Sequence, residues 1–186
     1  MDIIKYLPKQ YRNHIICICK TGSQLLVDNC NDIDYLIVTD LPFSKRLHYI
    51  HELKADCFIY GVKRFKRVFT DDKSIFKLIY CLAYNNPKNV LYGELPKLET
   101  NIFSKEYLTK TVLPIEYAWA EKTYFVKYPL KSMVWGLALY YVIINNSFDF
   151  TNEQKEILQK AHDLELPLTY CDELKTNMQK LLSSVE

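Results

Sequence analysis

The chain predicts an α+β fold, a small mixed β-sheet followed by a C-terminal bundle of helices. Short apolar, β-branched runs gather in its first 60 residues. Apolar residues at helical spacing dominate beyond residue 105. With 186 residues and 49% hydrophobic content, the chain can bury one good core. Residues 1–95 read as the core that carries the chemistry and 96–186 as a helical region packed on it, the whole forming one compact unit.

The elements follow in order. MDIIKYLPKQYRNH has no apolar signal region and reads as a short helix leading to the first strand. His14–Lys20 (HIICICK) and Ile33–Val38 (IDYLIV) have the length of buried strands. Pro42–Lys54 spaces Phe43, Leu47, Ile50 and Leu53 as a helical stripe, and Ala55–Tyr60 (ADCFIY) is the next strand. Val62–Phe69 turns Val62, Phe65 and Phe69 inward and Lys63, Arg64, Lys66 and Arg67 outward. Ile75–Tyr84 has helical spacing, stopped by Asn85-Asn86-Pro87. Residues 87–104, with Pro87, Gly93 and Pro96, read as a connection or the rim of a site.

Four helices complete the chain: 105–127, kinked or split at Pro114; 131–145; 152–162, opened by a Thr151/Gln154 capping box; and 170–183. Pro129 and Pro167 break the chain before the second and fourth. Met133–Ile144 is apolar on nearly every side but too short for the ~20 residues that cross a bilayer, so it is the central helix of this half. A helical half against a small sheet leaves a cleft for ligands.

Chemistry concentrates around Gly22. Only four glycines occur, and one directly after a strand marks a sharp turn or a close approach to a ligand. Ser23 can offer a hydroxyl and a backbone N–H to a phosphate oxygen. Nine residues on, Asp32 and Asp34 project from one strand face, with Ile33 and Tyr35 on the other. Two such carboxylates repel unless a cation neutralises them, and Mg²⁺ is the natural cation because it shares its oxygen shell with substrate phosphates. Asp56, near the start of the next strand, stands beside the pair if that strand runs parallel or antiparallel to theirs. A third carboxylate can hold a second ion and act on an attacking hydroxyl.

Gly22-Ser23, Asp32-x-Asp34 and Asp56 together resemble the signature of the DNA polymerase β type nucleotidyltransferase superfamily. ADCFIYGVKRFKRVF, then IYCLAYNNPKNVLYGE, is similar to the segment after the third acid in small predicted bacterial and phage members, some associated with RNA repair. KSMVWGLALYYVII is similar to their C-terminal helical segment. The resemblance covers about residues 14–165 and departs at Gln24-Leu25-Leu26-Val27-Asp28, where many members carry an arginine or a small-residue pattern. A histidine of the C-terminal helix motif is absent; Trp135 and Gly136 stand near its place.

The resemblance implies a nucleotidyltransferase core in 1–95 that moves a nucleoside monophosphate from a triphosphate such as ATP to an acceptor hydroxyl, with an RNA 3′ end as the favoured acceptor and a small molecule or a protein side chain as the alternatives. Asp32, Asp34 and Asp56 are then the catalytic, metal-binding acids for Mg²⁺ or Mn²⁺. Gly22, Ser23 and Lys131 are then the nucleotide-binding residues, with Lys131 reading equally as an ordinary surface lysine. Lys63, Arg64, Lys66 and Arg67 contact phosphate or nucleic acid, or form an ordinary solvated helix face. The other function class is an inactive protein of this fold that serves as a nucleotide-binding, protein-binding or inhibitory module.

Global features fit either class. A formal charge of +2 excludes a protein that coats long nucleic acid by charge alone. Six cysteines without a CxxC pair, most inside apolar runs, point to free thiols in a reducing cytoplasm, the host's if the chain is viral. His48 and His51 share a helix face but lack partners at zinc spacing, and His14 and His162 are isolated. Tyr84, Tyr92, Tyr117 and Tyr124 suit base stacking or the core.

Overall fold

The computed structural model describes residues 3–30, 32–42, 44–70, 77–85, 87–98, 104–127 and 130–184. The protein is α+β, with a five-stranded mixed sheet and a helical C-terminal region. It divides into two compact units: Met1–Leu25, Asn29–Asp71 and Ile79–Thr100 form one, and Leu26–Asp28, Asp72–Leu78 and Asn101–Glu186 the other.

The first unit holds the strands β1 (Ile15–Thr21), β2 (Ile33–Thr39), β3 (Lys45–Ile50), β4 (Ala55–Gly61) and β5 (Val90–Gly93), in the spatial order β3-β4-β2-β1-β5. β2 and β4 run parallel at the centre; the other three pairings are antiparallel. Alternation gives the sheet two faces. One carries Ile18, Tyr35, Ile37, Cys57 and Ile59, which join Ile3, Leu7 and Tyr11 in a core. Those last three come from a 3-10 turn (Ile3–Tyr6) and helix α1 (Lys9–Arg12) with the segment joining them. The opposite face carries Tyr60, whose ring meets Tyr80 edge-on. Phe65 packs on the same tyrosine. These two residues come from helices α3 (Lys77–Asn85) and α2 (Val62–Thr70). Helix α2 buries Phe65 and Phe69, as its spacing predicts, and also Val68, while Val62 is half-buried.

Two expectations are corrected. The stretch 42–54 is not a helix: it forms β3 and a 3-10 turn at His51–Leu53. Its stripe at every third residue is not a buried face, because Leu47 is 61% exposed while Ile50 is buried. The run KRLHYI pairs residue by residue with β4, and Lys54, in the left-handed conformation at φ 48°, closes the connection. Cross-strand pairing here overrides a coincidental helical spacing. Phe43, counted in that stripe, lies outside the described residues, as do Ile75 and Phe76. The second correction is β5. Residues 90–93, read as connection, form a strand hydrogen-bonded to β1.

In the second unit, a helix opens as α4 (Lys105–Tyr107), passes through a wider π turn at Leu108–Val112 and continues as α5 (Leu113–Ala120). The π turn lies just before Pro114, which cannot complete the regular hydrogen-bond ladder. Next come α6 (Met133–Asn145), α7 (Asn152–His162) and α8 (Leu168–Ser183). Helix α6 is the centre, packed against α5, α7 and α8, with nine buried residues. The capping box is formed: the Gln154 N–H donates to Thr151 Oγ1 and the Thr151 N–H to Gln154 Oε1. No helix among the described residues is long and apolar enough to cross a membrane.

Candidate active site

The acids meet through strand register. On the parallel pair β2/β4, Asp34 stands opposite Asp56, so both project from one face of strands about 4.8 Å apart. Antiparallel pairing sets Thr21 opposite Asp34 on one side and Tyr49 opposite Asp56 on the other. A row Thr21–Asp34–Asp56–Tyr49 therefore crosses four strands on a single face. Asp32 is exposed and just precedes β2, two residues before Asp34. Asp34 and Asp56 are half-buried.

Gly22 follows β1 with φ +77°, a conformation that disfavours side chains, and a Cβ there would collide with the Asp34 carboxylate. The turn thus fits over Asp34 only because residue 22 is glycine. Ser23 opens a 3-10 turn, Ser23–Leu25, and is half-buried. Gln24 fastens this turn to the sheet: its Nε2 donates to the backbone oxygens of Thr21, at 2.8 Å, and of Asp34, at 2.5 Å. Sequence reasoning registered Gln24 only as a departure from a pattern. Its role needs the register that brings Thr21 and Asp34 side by side.

The Thr21 hydroxyl is buried and has no hydrogen-bond partner among the described residues. An orphan hydroxyl beside a carboxylate is costly unless it receives a ligand or exchanges a bond with a bound group. Nearby groups sense the acids. Burial, with added repulsion from Asp56 and Asp34, pushes the Cys57 thiol up to about 12. Burial raises the Tyr80 phenol too, with Tyr60, Cys19 and Asp34 contributing. Oxygen-only donors at this end of the sheet suit a hard cation such as Mg²⁺ or Mn²⁺. Among the described residues, however, no three His, Cys, Asp or Glu side chains form a ready metal cluster.

The basic candidates on α2 lie away from the acids. Lys63, Arg64 and Arg67 are exposed and Lys66 is half-buried on α2, which begins at the end of β4 away from Asp56. The five residues from Asp56 to Gly61 span about 17 Å. Lys131 belongs to the helical unit, exposed ahead of α6. There its charge helps hold the Asp163 carboxyl low, behind the hydrogen bonds from His162 and Gln159.

The histidines share no helix face. His48 Nε2 lies 3.2 Å from the Tyr6 carbonyl, His51 packs edge-on against Tyr49, and His14 pairs with Asp40 at 2.7 Å. Tyr124 belongs to the core, its hydroxyl seated against Gly136, where any side chain would collide. Tyr117 accepts a bond from Gln179 and Tyr84 donates to the Pro96 carbonyl, while Tyr92 is exposed on β5. All six cysteines are free thiols.

Fold and site thus define an α+β protein with a carboxylate row at one end of a mixed sheet. Comparison with protein-family models and with curated protein sequences found no match.

Proposed function

We propose that this protein is a metal-dependent nucleotidyltransferase that moves a nucleoside monophosphate from a triphosphate to an acceptor hydroxyl, with an RNA 3′ end as acceptor. The observation that carries the reading is the register pairing of Asp34 with Asp56 on one face, under the Gly22 turn and beside the orphan Thr21 hydroxyl. Asp32, Asp34 and Asp56 would hold Mg²⁺ or Mn²⁺, which when bound neutralises triphosphate oxygens and lowers the pKa of a nearby hydroxyl.

The chain's own residues do the rest. The Gly22–Ser23 turn receives phosphate oxygens through the Ser23 hydroxyl and N–H, and Gln24 keeps that turn in register with Asp34. Asp56 accepts the proton of the acceptor hydroxyl as its oxygen bonds to the α-phosphorus. The bond from the α-phosphorus to the β-phosphate oxygen breaks, and pyrophosphate leaves with that electron pair. Holding the reactants in line is most of what such a transfer asks of a protein. A reducing cytoplasm suits this function, given six free thiols.

Incubating the pure protein with each α-labelled triphosphate, Mg²⁺ and total cellular RNA, protein or metabolites tests the reading. Label is expected in the RNA fraction, with Asp56→Asn lowering incorporation on the order of 10³-fold. No label in any fraction would overturn it. The departures from the family pattern at Gln24-Leu25-Leu26-Val27-Asp28 and at the missing helix histidine favour a second reading, a nucleotide- or protein-binding or inhibitory module of the same fold. That reading expects binding to survive Asp34→Asn with no turnover in the wild type.

A further inference from the structure

Strand β3, at the sheet edge, exposes a strip whose chemistry changes along its length. Lys45, Leu47 and Tyr49 share the face that carries Asp34 and Asp56, because they pair with Tyr60, Phe58 and Asp56. All three are exposed, Leu47 at 61% and Tyr49 at 44%, so a large aliphatic and an aromatic surface face solvent side by side. The Lys45 end is electropositive. There the Gly61 N–H donates to the Ser44 carbonyl and the Arg64 N–H to the Pro42 carbonyl, tying the first turn of α2, with exposed Lys63 and Arg64, to the start of β3. The other end is the carboxylate row. Basic charge, then an aromatic platform, then acids follow one another over about 14 Å of strand.

We propose that this strip binds the 3′-terminal segment of a single-stranded RNA, phosphates toward Lys45, Lys63 and Arg64, a base stacked on Tyr49, and the terminal hydroxyl at Asp56. Charge complementarity selects this occupant. A polyanion is attracted at the basic end, its unpaired bases stack on an exposed ring, and only a hydroxyl terminus suits the acid end. His51 packs edge-on against Tyr49 at 4.8 Å between ring centroids. The inference rests on the transferase reading for its polarity, and on the strip alone for binding.

Fluorescence anisotropy of a 5′-labelled six-nucleotide RNA, without triphosphate or metal, reads the strip independently of catalysis. Tyr49→Ala is expected to weaken binding about tenfold and Tyr49→Phe by no more than about twofold, with unchanged thermal melting, since the side chain is exposed. Lys45→Glu is expected to weaken binding and flatten its salt dependence. In the incorporation assay Tyr49→Ala is expected to raise the KM for the oligonucleotide by the same factor. If the wild type never incorporates label yet these variants lose RNA binding, the transferase reading falls and the strip stands. Unchanged binding in Tyr49→Ala overturns the strip, whatever the incorporation assay shows. So does a size-exclusion shift from dimer to monomer in Leu47→Ser without loss of RNA binding, which would make the strip an interface between copies.

Discussion

The sheet unit and the helical unit each set carboxylates among apolar neighbours, and they treat them in opposite ways. In the sheet, Asp34 and Asp56 sit half-buried at strand starts, next to each other and to an orphan hydroxyl. In the helices, Glu116 is only 4% exposed, and the Tyr124 hydroxyl donates to its Oε1 at 3.2 Å. Burial pushes the Glu116 carboxyl up to about 7, although the Tyr124 bond pulls the other way. A sealed acid holds its proton up to about neutral pH. The sheet acids keep a side open to solvent.

Substitutions can break or sharpen this contrast, starting with the largest effect. Replacing both Asp34 and Asp56 by Asn is expected to abolish label incorporation while leaving the melting temperature unchanged or higher, because like charges are removed. A large fall in melting temperature would make the pair structural. Gly22→Ala puts a methyl group into the Asp34 carboxylate at a left-handed backbone position. The expected loss is roughly 2–4 kcal/mol, a fall of about 10 °C in melting temperature, together with activity.

Glu116→Gln sharpens the helical side. The folded acid titrates near 7 against 4.5 unfolded, so between those values the native state binds more protons and stability falls as pH rises. Wild-type stability is expected to drop by up to roughly 3 kcal/mol across pH 4.5 to 7 from this group, and the Gln variant to lack that drop. Urea unfolding at pH 5 and pH 8 measures it. Gln24→Ala removes two bonds that hold the Gly22 turn and is expected to cost roughly 1–2 kcal/mol, with kcat lowered more than the melting temperature explains.

Much of the architecture is legible in local pattern. The apolar runs of β1, β2 and β4, the buried side of α2, the all-round apolar α6 and the Thr151 cap each announce themselves within a dozen residues. What escapes is decided by distant partners. KRLHYI is a strand because β4 pairs with it, and Val90–Gly93 because β1 does. Alternation gives the face of Asp34 within β2, but the parallel direction of β4, and hence Asp56 opposite Asp34, is a property of the sheet. The positions of Thr21, Gln24 and Tyr49 around the acids follow from that register. Gly136, which stands near a missing histidine in the sequence pattern, turns out to be the socket for the Tyr124 hydroxyl. Nothing around Glu116 in sequence marks it as sealed from water.

In the strand order β3-β4-β2, β4 lies between two strands that both precede it in the chain. A nascent polypeptide that has formed only the β1–β2 hairpin owns Asp34 without its counterpart. Asp56 comes with β4, which pairs with β2 on one side and β3 on the other. Acid pairing is therefore a property of the finished sheet, and a half-assembled chain cannot possess it.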